Sequence, residues 1–175
     1  MKFAHLLLLF FASAIAACNS KTDKAAQNVQ KTKLQAFTDT VQLDTFKIAL
    51  LGEESKDMKL LFTITTNKGE QVYKKEILAD ELLKSYLATA DLKNEAKKVK
   101  FLNDEVNFFF EDEHFLMPAI TEQEKPDNNT PDKVFYEELK ASKLNGFSYR
   151  LGKDTNIYIA WSAKDKKVKI YYKCC

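Results

Sequence analysis

Residues 58–78 read MKLLFTITTNKGEQVYKKEIL, and their periodicity decides the fold class. Met58, Leu60, Phe62 and Ile64 recur at every second position, the period of a strand with one buried face. Asn67-Lys68-Gly69 is a hairpin turn signal, because asparagine and glycine tolerate the backbone angles that a tight reversal needs. Gln71–Leu78 then returns as the next strand. From Ala79 the period changes: Leu82, Leu83, Tyr86, Leu87 and Ala90 form one helical stripe. A hairpin followed directly by a helix, with no βαβ alternation, points to an antiparallel sheet with inserted helices.

The pattern extends in both directions. Upstream, residues 40–50 alternate loosely, with Val41, Leu43, Phe46 and Ile48 as expected core positions. Downstream, KKVKFL (97–102) and EVNFFF (105–110) read as two strands around Asn103 and Asp104. Residues 114–120 read as a further strand, interrupted at Pro118. The loop EQEKPDNNTPDK leads into a second helix, with Thr130 as N-cap, Pro131 at the first helical position and Asp132 in the first turn. Val134, Phe135 and Leu139 supply its expected buried stripe, and Gly146 its terminator. FSYRL (147–151), NIYIAWS (156–162) and KKVKIYY (166–172) read as three closing strands, with Asp165 in the last turn. The expectation is a single α+β domain over residues 37–175, rich in antiparallel sheet and carrying two inserted helices.

The N-terminus carries a different signal. Residues 1–17, MKFAHLLLLFFASAIAA, place Lys2 before a short apolar run and small residues after it, the layout of a secretory signal peptide. The apolar run is too short to span a bilayer. Ile15-Ala16-Ala17-Cys18 resembles the lipobox of bacterial lipoproteins, and the layout as a whole is similar to small lipoproteins of Bacteroidetes. The resemblance implies cleavage before Cys18, fatty acylation of its sulfur and amino group, and anchoring in a membrane. Residues 18–36 are polar and poor in large apolar side chains, so they read as the lipidated cysteine and a flexible tether. Asn19 follows the cysteine, and no acidic run comes after it. By resemblance to known sorting rules, that implies the outer membrane, facing the periplasm.

Composition removes several functions. Loss of Lys2 with the signal peptide takes the net side-chain charge from +2 to about +1, which gives no electrostatic case for nucleic acid. Arg150 is the sole arginine, so bidentate phosphate or guanine contacts are scarce. The 4 glycines stand singly and build no phosphate-binding loop, and no GxSxG or HExxH motif is present. No cofactor is called for. With His5 cut away, His114 is the one histidine left. It lies in EDEHF, where an extended chain would put Asp112 and His114 on one face, half of a metal site or an acid–base pair. A solvated acidic turn is the simpler reading.

Cys174 and Cys175 end the chain as the two thiols not used for lipidation. A strained vicinal disulfide, a soft-metal site and a pair without a role are the competing readings. The 13 phenylalanines and 7 tyrosines are most simply core and sheet-face residues, with an aromatic ligand cavity as the alternative. Together these features describe a lipid-anchored, non-enzymatic envelope protein that binds a protein partner or a small apolar ligand. An inhibitor or immunity-type lipoprotein is the alternative, followed by a hydrolase using carboxylates or His114. Replacing Cys18 with Ala is expected to move the protein from the membrane to the soluble fraction. Fractionation and the mass of the N-terminal peptide read this out, and a Cys18→Ala protein that stays on the membrane refutes the anchor.

Overall fold

A computed structural model describes residues 29–175, so the signal peptide, Cys18 and tether residues 19–28 lie outside the described residues. Eight strands form two separate antiparallel sheets, each a meander of four in chain order. Sheet A holds β1 (Gln30–Ala36), β2 (Leu43–Leu51), β3 (Lys59–Thr65) and β4 (Gln71–Leu78). Sheet B holds β5 (Phe115–Leu116), β6 (Gly146–Gly152), β7 (Thr155–Ser162) and β8 (Lys167–Cys174). Helices α1 (Ala79–Tyr86), α2 (Glu95–Phe108) and α3 (Lys133–Ser142) complete an α+β fold.

The opening stretch behaves as its period dictates. Met58, Leu60, Phe62 and Ile64 are all buried, and the β3–β4 hairpin pairs Leu60 with Ile77 and Ile64 with Tyr73. The inner face of sheet A meets the inner face of sheet B through edge-on and tilted rings. Phe46 and Phe62 lie 5.3 and 5.2 Å from Phe147 of β6, and Phe62 lies 5.6 Å from Tyr149. The hydroxyls of Tyr73 and Tyr149 share a hydrogen bond of 2.6 Å across the same gap. Leu102, Val106, Phe109 and Phe110 from α2 and its C-terminal end join this cluster. Leu82 and Leu83 of α1 are also in it. Helix α3 instead packs on the opposite face of sheet B, where Phe135, Tyr136 and Leu139 meet Ala160 and Tyr171 in a smaller second core. Both faces of sheet B are therefore covered.

Several expectations are corrected. Residues 97–102 and 105–110 are not two strands: one helix, α2, runs from Glu95 to Phe108. Asn94 caps it by accepting from the Lys97 amide at 3.0 Å. Val99, Leu102, Val106 and Phe109 recur at helical spacing toward the core, and Asp104 pairs with Lys100 on the exposed side. The described residues thus carry three α-helices, not two. Residues 30–36, expected in the tether, form β1, and pairing with β2 recruits them to the sheet despite their polarity. Lys31 and Lys33 reach across to carbonyls of Asn107 and Phe110. The third helix starts two residues later than expected, with Asp132 rather than Thr130 as N-cap. It ends at Lys143, whose φ of 55° is left-handed, not at Gly146. Gly146 opens β6, where an added Cβ would lie 2.8 Å from Ala119 Cβ and from the Tyr171 hydroxyl. Val41 and Val134, expected in the core, are exposed.

Buried Asp44 ties two turns of sheet A together, accepting from the Thr38 amide and hydroxyl and from the Asn67 amide. Phe62 sits at the centre of the inter-sheet cluster, so Phe62→Ala is expected to cost about 3–5 kcal/mol in urea denaturation. Phe108→Ala, at a residue 54% exposed, is expected to cost less than about 1 kcal/mol.

Candidate functional site

The outer face of sheet B holds the aromatic hollow of the fold. Along β7 and β8, Tyr158 pairs directly with Tyr172, and the register then shifts so that Ile159 pairs with Ile170. Tyr171 is the extra residue of this bulge. In a regular strand Tyr171 and Tyr172 would point to opposite faces. The bulge puts both toward the same side, a re-aiming that bulges perform at sites elsewhere. Helix α3 contributes Tyr136 from above.

The loop before α3 closes the rim. Asp127 turns it by accepting from the Asn129 amide at 2.7 Å, and the Lys173 amide of β8 donates to the Asn129 carbonyl at 3.0 Å. The Tyr172 hydroxyl donates to Asp127 at 3.0 Å, which fixes that ring against the loop. Glu124 accepts from the Thr121 amide and hydroxyl at 2.5 and 2.7 Å through one oxygen, Oε2. The resulting cleft has a volume of about 260 Å³, with Tyr136, Tyr158, Tyr171 and Tyr172 as walls and Glu124 and Asp127 at its edge. Burial pushes the Tyr136 and Tyr158 phenols above their ordinary range, so they stay neutral donors at physiological pH. Among the described residues no phenylalanine lines this cleft; Phe37, Phe46, Phe62, Phe109, Phe110, Phe115, Phe135 and Phe147 are buried in the core, while Phe108 is exposed.

The residues singled out from sequence fall elsewhere. Asp112–His114 is a single 3₁₀ turn, not an extended segment, so Asp112 and His114 do not share a strand face. Asp112 is almost fully exposed and ion-pairs with Lys33, which holds its carboxyl below the ordinary range. His114 turns inward, with Nδ1 3.4 Å from the Ser148 hydroxyl, longer than a nucleophile–base hydrogen bond. Beside it, Glu105 lies 3.7 Å from Arg150, and the hollow among these groups is about 20 Å³, room for a water and not for a substrate. Among the described residues, no group of three or more His, Cys, Asp or Glu side chains is placed to hold a metal ion.

Cys174 and Cys175 carry no bond to each other, and the Cys174 sulfur faces the Cys175 carbonyl at 3.9 Å. Burial, and then its neighbour Cys175, push the Cys174 thiol up, away from the thiolate that nucleophilic chemistry needs. Cys18 lies outside the described residues. Among the described residues, no helix is long and apolar enough to cross a membrane. Compared with known proteins, the chain matches no family model, no curated protein and no solved structure.

The small polar hollow gives a pH signature. Burial lowers the His114 pKa from its ordinary 6.5, so the folded chain binds that proton less well than the unfolded chain. Its stabilisation is complete above about pH 6.5 and falls as pH drops below it. Burial raises Glu105 above its ordinary 4.5, so it works in the reverse sense, with stability lost as pH rises past 4.5. His114→Gln is therefore expected to flatten the decline in urea midpoint between about pH 6.5 and 5.5. An unchanged slope in that variant would place the titration elsewhere.

Proposed function

We propose that this chain is a lipid-anchored protein of the cell envelope, held by Cys18 on the periplasmic face of the outer membrane, whose domain binds a small ligand without transforming it. The observation that carries the reading is the tyrosine-walled cleft built by the β8 bulge, α3 and the 117–130 loop. Ligand sites are concave and mostly apolar, with a few fixed polar groups, and this cleft has that make-up. Its volume of about 260 Å³ suits a head group or a fragment-sized molecule. The hydrolase alternative has less behind it: His114 faces a space the size of a water molecule, and the two carboxylates at the cleft edge are already engaged, Glu124 by Thr121 and Asp127 by Asn129 and Tyr172.

A protein partner, as an inhibitor or immunity-type lipoprotein would have, is the second reading. It is favoured by the uncovered outer face of sheet A, where Leu34, Leu43 and Leu78 are about half exposed (57%, 51% and 49%).

A fragment collection titrated into isotopically labelled protein separates the two. The ligand reading expects amide shifts to cluster at Tyr136, Tyr158 and Tyr172. It fails if no fragment shifts those residues while a captured protein partner shifts the outer face of sheet A.

A further inference from the structure

The cleft of sheet B carries chemistry more specific than an aromatic hollow. The Tyr158 ring stands at 83° to Tyr172, with centroids 5.4 Å apart, and at 70° to Tyr171, with centroids 6.1 Å apart. Walls at right angles form a corner, whereas a flat sugar or base is held by a single exposed platform. In each pair one ring's edge meets the other's face, and the parts of the half-buried Tyr158 and Tyr172 rings left open to the cleft present negative quadrupole to a compact group lodged there. The edge of the cleft is anionic. Asp127 is committed to the Tyr172 hydroxyl and the Asn129 amide, which orient it. Glu124 uses Oε2 for Thr121, and its Oε1 has no hydrogen-bond partner among the described residues.

We propose that this cleft binds the ammonium group, methylated or quaternary, of a small organic molecule, with the tyrosine faces as walls and Glu124 and Asp127 as counter-charges. This rests on the reading of the cleft as a ligand site and names the ligand class.

The surrounding charges agree with that sign. After burial, the carboxylates of Glu124, Glu137 and Asp127 are the next causes raising the Tyr136 phenol, so three acidic groups act on that wall. Lys125 is the basic residue of the lining, on the exposed loop, and Lys140 is turned to the Glu124 carbonyl at 2.8 Å. A cleft of about 260 Å³ has room for a trimethylammonium head and a short chain. Tyrosine rather than phenylalanine at these walls also makes sense. The Tyr172 hydroxyl is what ties its ring to the anionic edge, and Tyr171 donates to the Ala119 carbonyl at 3.2 Å beneath it.

The test uses the full-length protein extracted in a non-ionic detergent and titrated calorimetrically with choline and with its neutral isostere 3,3-dimethylbutanol. Saturable binding of choline, with the isostere at least about tenfold weaker, is the expected result. Tyr158→Leu is expected to weaken choline binding by roughly tenfold, while Tyr158→Phe, which keeps the ring face, retains it. Glu124→Gln is expected to weaken choline and leave the isostere unchanged. Vesicles of phosphatidylcholine against phosphatidylglycerol, offered to the Cys18→Ala chain so that no acyl anchor drives insertion, tell a lipid head group from a free amine: flotation with the former alone assigns the lipid. Equal binding of choline and the isostere overturns the cation assignment and leaves a ligand cleft standing. Absence of choline binding, with the wild-type circular dichroism intact, overturns it as well. Only if neutral fragments also avoid Tyr136, Tyr158 and Tyr172 does the ligand-site reading fall with it.

Discussion

The contact on which the rest of the molecule depends is the packing of Phe46 and Phe62 against Phe147 and Tyr149. Two four-stranded meanders have no hydrogen-bonded ladder between them. Their union therefore rests on apolar burial, on the Tyr73–Tyr149 hydroxyl hydrogen bond and on ring geometry, each ring pair contributing about 0.5–1.5 kcal/mol beyond its area. Phe62 alone meets six rings, from Phe46, Tyr73, Phe109, Phe110, Phe147 and Tyr149. Helix α2 is held against this cluster by the same residues, so its placement follows from the inter-sheet contact.

Closing one face of sheet B against sheet A has a consequence for the other face. That face takes α3 and the 117–130 loop over a small core in which Phe135, Tyr136 and Leu139 meet Ala160 and Tyr171. The cleft lies among α3, the loop and the tyrosines of β7 and β8. A polar rim is tolerated there because Asp127, Asn129 and Thr130 satisfy one another's backbone and side-chain groups before any ligand arrives. The groups at the edge are thus held in place by the loop itself, which is what a binding site needs from its supports.

Helix α2 shows how far local pattern carries and where it fails. Val99, Phe101, Val106, Phe108 and Phe110 alternate over short windows, and valine and phenylalanine favour strands. Over fourteen residues the stripe Val99, Leu102, Val106 and Phe109 has the helical period, and Asn94 stands three residues before the amide it caps. Asn103 and Asp104 signal a turn only when the window is short. The signal was present in the chain, at a longer range than a strand occupies. β1 is the opposite case: QKTKLQA has too few apolar residues to announce a strand. It becomes one because β2 offers an open edge and its lysines find carbonyls on α2 and just beyond.

What the chain determined by itself is whatever depends on neighbours in sequence. The strand Lys59–Thr65, its hairpin, the closing strands and the α+β class follow from periods of two and of about three and a half, because those periods decide which side chains share a face. The cleft required tertiary structure. Tyr136, Tyr158, Tyr172, Glu124 and Asp127 come from a helix, two strands and a loop, and their approach is fixed by how those elements pack. The decisive step is a bulge of one residue between Ile170 and Tyr172, which turns two adjacent tyrosines to one side. Alternation along KKVKIYY predicts the reverse, since a regular strand sends neighbours to opposite faces; the register of β8 on β7 overrules it.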